Sequence, residues 1–304
     1  MAHLSVARYL RDRTKGATPR AIVEVMRQVR SRLLSRGLPR HAVFAQPPEQ
    51  SLASASMSIV VAIHDAPQVT LRCLASLQRY APSSQVILVD DASRLAQTTD
   101  AIRDFSSRNG WQVISNREPR GHSAACAAGA LLATRPYLCL LNSDTVVTPW
   151  CWRPFAQAFE SDASIGIAGP STSFAGNDQT LDVARCCRFY WDDGQICAFA
   201  ERLTVNPPQP AIVDLPWVSG FAFFLPRRLW EEMGGFDATL PDYGNEIDLC
   251  KRVLTRGLRT VWIRNAYIHH FAKQSFGETI GEDGIEARIQ AADIRAKQED
   301  APDH

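Results

Sequence analysis

Residues 58–93, SIVVAIHDAPQVTLRCLASLQRYAPSSQVILVDDAS, decide the fold. Ser58–Ile63 is a β-branched run of the length a buried strand needs, and Gln85–Val89 is a second. Between them Asp65 and Pro67 mark a helix start, and Cys73, Leu74, Leu77 and Ala81 recur at helical spacing. The stretch therefore predicts a strand, a helix and a second strand parallel to the first. Outward from it the alternation continues with a helix around Thr99–Arg108, a strand Trp111–Ile114, a helix Ser123–Thr134 and a strand Tyr137–Leu141. Such alternation predicts an α/β domain whose central sheet is mostly parallel and flanked by helices.

In a sheet of this kind, ligands gather beyond the carboxyl ends of the strands. Those ends carry His64 and Asp65, then Asp90 and Asp91, then Asn116, then Asn142, Ser143 and Asp144. One acid at a strand end is more often a helix cap or a turn former. Four successive polar ends form the main site signal. No G-x-G-x-x-G follows the first strand and no G-x-x-x-x-G-K-[ST] occurs anywhere, so a backbone cradle for phosphate is not the device. A bound pyrophosphate would then need a cation, for which Asn142-Ser143-Asp144 offers hard oxygen ligands suited to Mg2+ or Mn2+.

Bulk properties bound the rest. With 304 residues, 45% hydrophobic and 21% charged, the chain can bury one large core plus an extension. A net charge of +1 excludes a global field drawing it onto nucleic acid. Residues 1–40, however, hold ten basic side chains against two acidic ones. Thr18 and Pro19 there open a helix on which Ile22, Val25, Met26, Val29 and Leu33 recur at helical spacing. This basic amphipathic helix fits two readings: contact with an anionic membrane surface or partner, or packing on its own main domain. Residues 46–56, with two prolines and repeated Ser and Ala, read as a linker. The expected organisation is an extension over 1–45, a linker over 46–56, a main domain over 57–280 and a C-terminal helix or tail over 281–304. Eight cysteines without a C-x-x-C pair, and no N-terminal apolar segment with a cleavage site, predict a reduced, cytoplasmic chain. No apolar window is long enough to span a bilayer, so any contact with the inner membrane face is expected to be peripheral.

Seven strings in order carry a family resemblance: SIVVAIHDAPQVTLRCLASL (58–77), VILVDDAS (86–93), NREPRGHSAACAAG (116–129), LCLLNSDTVVTPWCW (138–152), VSGFAFFLPRRLWEEMGGFD (218–237), YGNEIDLCKR (243–252) and AYIHHFAKQSFG (266–277). From about Met57 to Gly277 the chain resembles the family-2 glycosyltransferases, inverting enzymes of the Rossmann-like GT-A fold, and particularly their bacterial polysaccharide and rhamnosyltransferase-like branch. The resemblance implies metal-dependent transfer of a sugar from a nucleotide-sugar donor to the hydroxyl of a glycan or lipid-linked acceptor, in surface polysaccharide or glycoconjugate synthesis, with Mn2+ or Mg2+ as cofactor.

It also implies roles for residues. Asp90 matches the aspartate that reads the base, with Asp91 as its neighbouring alternative. Asp144 matches the metal ligand of the family's D-x-D motif, and Asn142 replaces the first aspartate, free to touch the ribose or the sugar. His64, Asp65, Asn116, Arg120, Gly121 and Ser143 complete the expected donor side. Glu246 matches the base, supported by Asp248; by position alone these two are first-turn acids suited to a helix dipole. An acceptor hydroxyl is a poor nucleophile, which is why a carboxylate within hydrogen-bond reach is needed. His270 matches the family's histidine, which ligates the metal or touches the pyrophosphate, with His269 as the register alternative and Lys273 and Ser275 able to contact phosphate. Gly220, near Trp217, matches the segment beneath the donor sugar, where a Cβ would obstruct approach. Trp217, Asp237 and Tyr243 are the candidate acceptor contacts.

One departure is the run Cys126-Ala127-Ala128-Gly129, where the family often has an asparagine or arginine; Arg120 and His122 are the candidates to replace it. Between Ser171 and Leu215 the alternation is lost, and Phe174, Phe189, Tyr190, Trp191 and Phe199 collect in an acceptor wall, a lid or plain core. Two other functions stay open. Sugar-phosphate nucleotidyl transfer favours a Gly-rich basic loop where this chain has His64-Asp65-Ala66-Pro67. A catalytically degenerate sugar-nucleotide scaffold is compatible with Asn142.

Overall fold

Strand β1 (Met57–Ile63) lies between β2 (Gln85–Asp90) and β4 (Tyr137–Asn142) and runs parallel to both, while β3 (Gln112–Ser115) adds in parallel beyond β2. The computed structural model describes residues 37–272, together with Met26, residues 28–31, Leu33 and Leu34. Past β4 the sheet changes character. Strand β8 (Ala222–Pro226) is antiparallel to both β4 and β6 (Ile165–Ser171), β9 (Arg259–Tyr267) is parallel to β6, and β7 (Ile212–Asp214) is antiparallel to β9. The order is β3-β2-β1-β4-β8-β6-β9-β7, so the expected parallel sheet holds for its first half and is mixed in its second. A ribbon of β5 (Thr145–Val146) and β10 (His269–His270) stands apart from it.

The apolar runs read as strands because their side chains are buried on both faces. Ile59, Val61 and Ile63 of β1 pack on one side with α2 (Pro67–Tyr80), α3 (Ala96–Asn109) and α5 (Arg153–Ser161), while Val60 packs on the other with α4 (His122–Ala130) and α9 (Asn245–Thr255). Each such aliphatic side chain contributes about 1.5–3 kcal/mol of burial. The small residues of α4 follow from close packing: a Cβ at Gly129 would come within 2.3 Å of Val60 Cγ1. That helix ends at Ala130, short of the expected Thr134.

The expected linker over 46–56 instead holds a helix, α1 (Pro48–Ala55). Pro47 and Pro48 act as a helix start rather than as spacer residues, since Pro48 occupies a first-turn position where its missing N–H costs nothing. The helix is tied down by buried Gln50, whose Oε1 accepts from the N–H groups of Trp152 and Arg153 at 3.1 and 2.8 Å and so caps α5.

The insert between β6 and β7 forms α6 (Asp182–Cys187) and α7 (Asp193–Val205). Trp191 is buried against Ile196 and packs with Phe199, whereas Phe189 is 52% exposed, so the aromatic cluster divides between core and surface. Leu38 joins the same core with Ala184 and Cys187. Most of the basic segment over 1–40, the tail over 281–304, Lys273 and Ser275 lie outside the described residues. Among the described residues no helix is long and apolar enough to cross a membrane.

Candidate active site

Parallel register brings the strand ends to one edge: Ile63 pairs with Asp90 and Ala62 with Asn142. The chain leaves β1 toward β2 and β3 and returns on the opposite side at β4. The crevice beyond β1 and β4 is therefore the topological switch point, where open α/β sheets bind ligands.

Several expected donor residues hold this rim together. Asp65 Oδ1 accepts from the N–H groups of Arg94 and Leu95, both at 2.8 Å, at the entrance to α3. His64 Nδ1 donates to Asp91 O at 2.7 Å. Asp90, buried, accepts from Ser93 N–H at 2.9 Å. Asp91 is the hub: Oδ1 accepts from Asn116 Nδ2 at 2.7 Å and from Arg120 N–H at 2.9 Å, and Oδ2 from Gly121 N–H at 2.9 Å. Asn116 and the backbone of Arg120 are thus spent on Asp91. Gly121 must be glycine, since its φ is +87° and a Cβ would lie 3.0 Å from Pro241 Cβ.

At the end of β4, Ser143 and Asp144 are buried, and Asp144 Oδ1 lies 3.2 Å from His270 Nε2. The β10–β5 ribbon produces this contact, pairing His270 with Thr145, and Phe271 N–H donates to Asp144 O at 2.9 Å. His270 Nδ1 faces Phe174 O at 2.7 Å, and its ring stacks on Phe221 with centroids 4.8 Å apart. His269 points the other way, between Tyr267 Oη and Arg188 O, both at 2.8 Å, and burial lowers its pKa to about 3. Of the two register alternatives, the geometry therefore sets His270 against Asp144.

Glu246 occupies the first turn of α9. Part of its surface meets solvent, yet protein surrounds it, and that desolvation pushes its pKa up to about 6. A Cβ at Gly220 would be 3.6 Å from Glu246 Cδ, so the two residues are in contact. The next residue, Phe221, stacks on His270 and accepts from Asn142 N–H at 2.9 Å. Two consecutive residues thus join Glu246 to the Asp144–His270 pair. They stand at this edge because β8 runs antiparallel to β4, which puts its entrance beside the exit of β4.

Asp248 does not share this place. Positions two apart on a helix do not share a face, and Asp248 Oδ2 accepts from Arg252 Nε at 2.8 Å; Arg252 also donates to Met233 O and Gly235 O, both at 2.7 Å. Trp217 is half-buried, and its carbonyl accepts from Asn177 Nδ2 at 3.2 Å. Asp237 is exposed and closes its own turn by accepting from Thr239 N–H at 2.8 Å. Tyr243 is half-buried immediately before α9. Two site residues lay outside the expectations: Phe221, and Asn245, whose amide links Ser123 to the backbone of Glu246. Their signal was adjacency, since each is the immediate neighbour of a residue already singled out.

Among the described residues no group of three or more His, Cys, Asp or Glu side chains is placed to hold a metal ion. The available donor pair is Asp144 and His270. A hard divalent cation bound jointly with substrate phosphates takes one or two protein ligands and fills the rest of its shell with phosphate and water oxygens, so the pair fits such an ion.

Sheet order and switch point agree with the expected GT-A fold. Two family models match the chain, Glycosyl transferase family 2 over residues 58–205 and Glycosyl transferase family group 2 over residues 137–283; with these matches the chain is a glycosyltransferase, similar to family 2 over each stretch. No curated protein matches it significantly. Among solved structures the fold is similar to GalNAc-T7 with UDP, GalNAc and Mn2+, with a TM-score of 0.57 and 16% identity over 80% of this chain and 48% of that one. It is similar to the mannosyltransferase PcManGT from Pyrobaculum calidifontis in complex with GDP-Man and Mn2+, with a TM-score of 0.52 and 16% identity over 96% of this chain and 75% of that one. It is also similar to S. aureus TarS, with a TM-score of 0.51 and 12% identity over 78% of this chain and 39% of that one. The chain spans about half the length of the first, and at these identities the likeness is one of fold.

Proposed function

We propose that the chain moves a sugar from a nucleotide-diphosphate sugar to an acceptor hydroxyl by one displacement at the anomeric carbon, inverting its configuration. Glu246 is the base: it takes the hydroxyl proton as the oxygen attacks. A carboxylate whose pKa burial has pushed up to about 6 is a stronger base than an exposed one and is still ionised at neutral pH. Asp144 and His270 hold Mn2+ or Mg2+. When bound, that ion supplies positive charge to the departing diphosphate. Asp90 is the base-reading candidate, because Asp91 is engaged by the 116–121 loop.

The observation that carries this reading is the junction at Gly220 and Phe221, which puts a basic carboxylate beside the aspartate–histidine pair. The solved structures of similar fold support it: one holds UDP and Mn2+, another GDP-Man and Mn2+. The seven motif strings support the finer placement in a rhamnosyltransferase-like branch acting in polysaccharide or glycoconjugate synthesis, with a glycan or lipid-linked acceptor. The basic segment over 1–40 supports peripheral contact with the inner membrane face.

The test is hydrolysis of a panel of nucleotide sugars by the full chain with Mn2+, with the rhamnose, galactose and glucose donors first. Turnover of one donor that stops on chelation and in Glu246→Gln is the expected result. Release of pyrophosphate from a nucleoside triphosphate and a sugar phosphate, with no donor cleaved, would overturn it.

A further inference from the structure

His122 sits at the start of α4 with its ring half-buried between Asn142 and Asn245, and nothing in the proposed chemistry uses it. Its hydrogen-bond polarity can be worked out from a fixed carbonyl. Ser123 Oγ donates its one proton to Leu240 O at 2.5 Å, so it can only accept from Asn245 Nδ2 at 2.7 Å. The same amide accepts from Glu246 N–H through Oδ1 at 2.8 Å, which fixes its orientation at both ends. Asn245 Nδ2 therefore faces His122 Nδ1, at 3.5 Å, as a donor. An amide nitrogen has no lone pair to offer, so Nδ1 is the bare nitrogen and the ring proton is on Nε2. Burial disfavours a second ring proton.

The consequence falls on Asn142. Nε2–H lies 3.1 Å from Asn142 Oδ1 and donates to it. That bond fixes the amide's orientation and takes one lone pair of its oxygen; the NH2 group, which has protons to give and no lone pair for a cation, is turned away from His122. An aspartate at this position would offer the opposite polarity. We propose that His122 is a positioning residue that fixes Asn142 as a hydrogen-bond donor to an oxygen of the nucleotide sugar, so the first position of the Asn-Ser-Asp triplet reads substrate and not metal.

This rests on the nucleotide-sugar reading of the site, and the experiment separates the two. The first measurement needs no variant beyond a reference: a long-range 1H–15N spectrum of the full chain, with His122 identified by comparison with His122→Gln. The pattern of an imidazole protonated at Nε2 is expected; a ring protonated at Nδ1 overturns the proposal. The second compares binding of UDP and of GDP, each with Mn2+, and of Mn2+ alone, in wild type, His122→Gln and Asn142→Asp. The side-chain amide introduced by His122→Gln can still donate to Asn142, so nucleotide affinity in that variant should stay within about fivefold of wild type. Asn142→Asp should lose tenfold to a hundredfold in nucleotide affinity, the scale of a hydrogen bond to a charged partner. Equal or tighter nucleotide binding by Asn142→Asp, through a gain in Mn2+ affinity, overturns the proposal. Wild type that binds neither nucleotide defeats the nucleotide-sugar reading itself, while the spectrum still decides the polarity of His122.

Discussion

His270 Nε2 stands 3.2 Å from Asp144 Oδ1 with both side chains almost fully buried, and the far side of the same ring is committed, because Nδ1 faces Phe174 O at 2.7 Å. With its proton donated to that carbonyl, a neutral ring turns a lone pair toward a carboxylate. Such an arrangement calls for positive charge, either a second ring proton or a metal ion, and a histidine anchored through its other nitrogen is the usual partner of a metal. Nucleoside diphosphate with Mn2+ at a hundredfold excess over Kd is therefore expected to stabilise the chain by about 2.7 kcal/mol, a rise of several degrees in Tm. Asp144→Ala and His270→Ala should abolish the metal-dependent part. A thermal scan showing an undiminished shift in Asp144→Ala would falsify the assignment.

Glu246 connects activity to stability in opposite directions. Its folded pKa of about 6 lies above the ordinary 4.5, so the native state binds its proton more tightly than the unfolded chain does. Stability from this group is therefore full at low pH and falls as pH rises from about 4.5 through about 6, by on the order of 1–2 kcal/mol. Glu246→Gln removes that loss. The variant should melt higher than wild type at pH 7.5, match it near pH 4, and lose 10²–10⁴-fold in transfer rate. Wild-type kcat/KM should in turn rise with pH through about 6. Melting curves and rates across pH 4–8 check both halves.

Asp90 and Asp91 adjoin in sequence and differ in what they hold. Asp91 accepts from Asn116 Nδ2 and from two backbone N–H groups of the 120–121 loop, whereas Asp90 accepts from Ser93 N–H. Asp91→Ala strands three donors where Asp90→Ala strands one, and each unsatisfied partner costs about 1–3 kcal/mol. Urea unfolding should show Asp91→Ala at least about 2 kcal/mol less stable than Asp90→Ala. Donor affinity should fall in Asp90→Ala despite its milder effect on folding. Equal stabilities for the two variants would count against the hub.

The first half of the sheet was legible because strands buried on both faces appear as continuous apolar runs, and the polar residues that end them are read directly. What stayed hidden depends on contacts between segments far apart in sequence. The pairing of β8 with β4 puts Gly220 beside Glu246, and no local pattern encodes that register. His269 and His270 could not be separated because successive residues of a strand face opposite ways, and only the partner strand says which way is inward. Some local signals carried two readings at once. Pro47-Pro48 serves a helix start as well as a linker. The four-residue spacing of Asp248 and Arg252 was a visible sign that this acid already had a partner.

Phe221 is the neighbour that sequence reasoning passed over. Its ring lies under His270 at 4.8 Å, inclined by 13°, and limits how far the imidazole can tilt from Asp144. Two positions along, Phe223 packs on Phe236 at 5.8 Å, in the core on the other face of the sheet. Both are fully buried phenylalanines, so replacement by leucine should cost each about 1–2 kcal/mol in lost aromatic contact and imperfect repacking. Only one of them supports the histidine. Phe221→Leu should therefore require severalfold more Mn2+ for half-maximal donor cleavage and recover its rate when Mn2+ is saturating. Phe223→Leu should show wild-type metal dependence at a similarly reduced Tm. If the two variants responded to Mn2+ alike, the stack beneath His270 would be packing and nothing more.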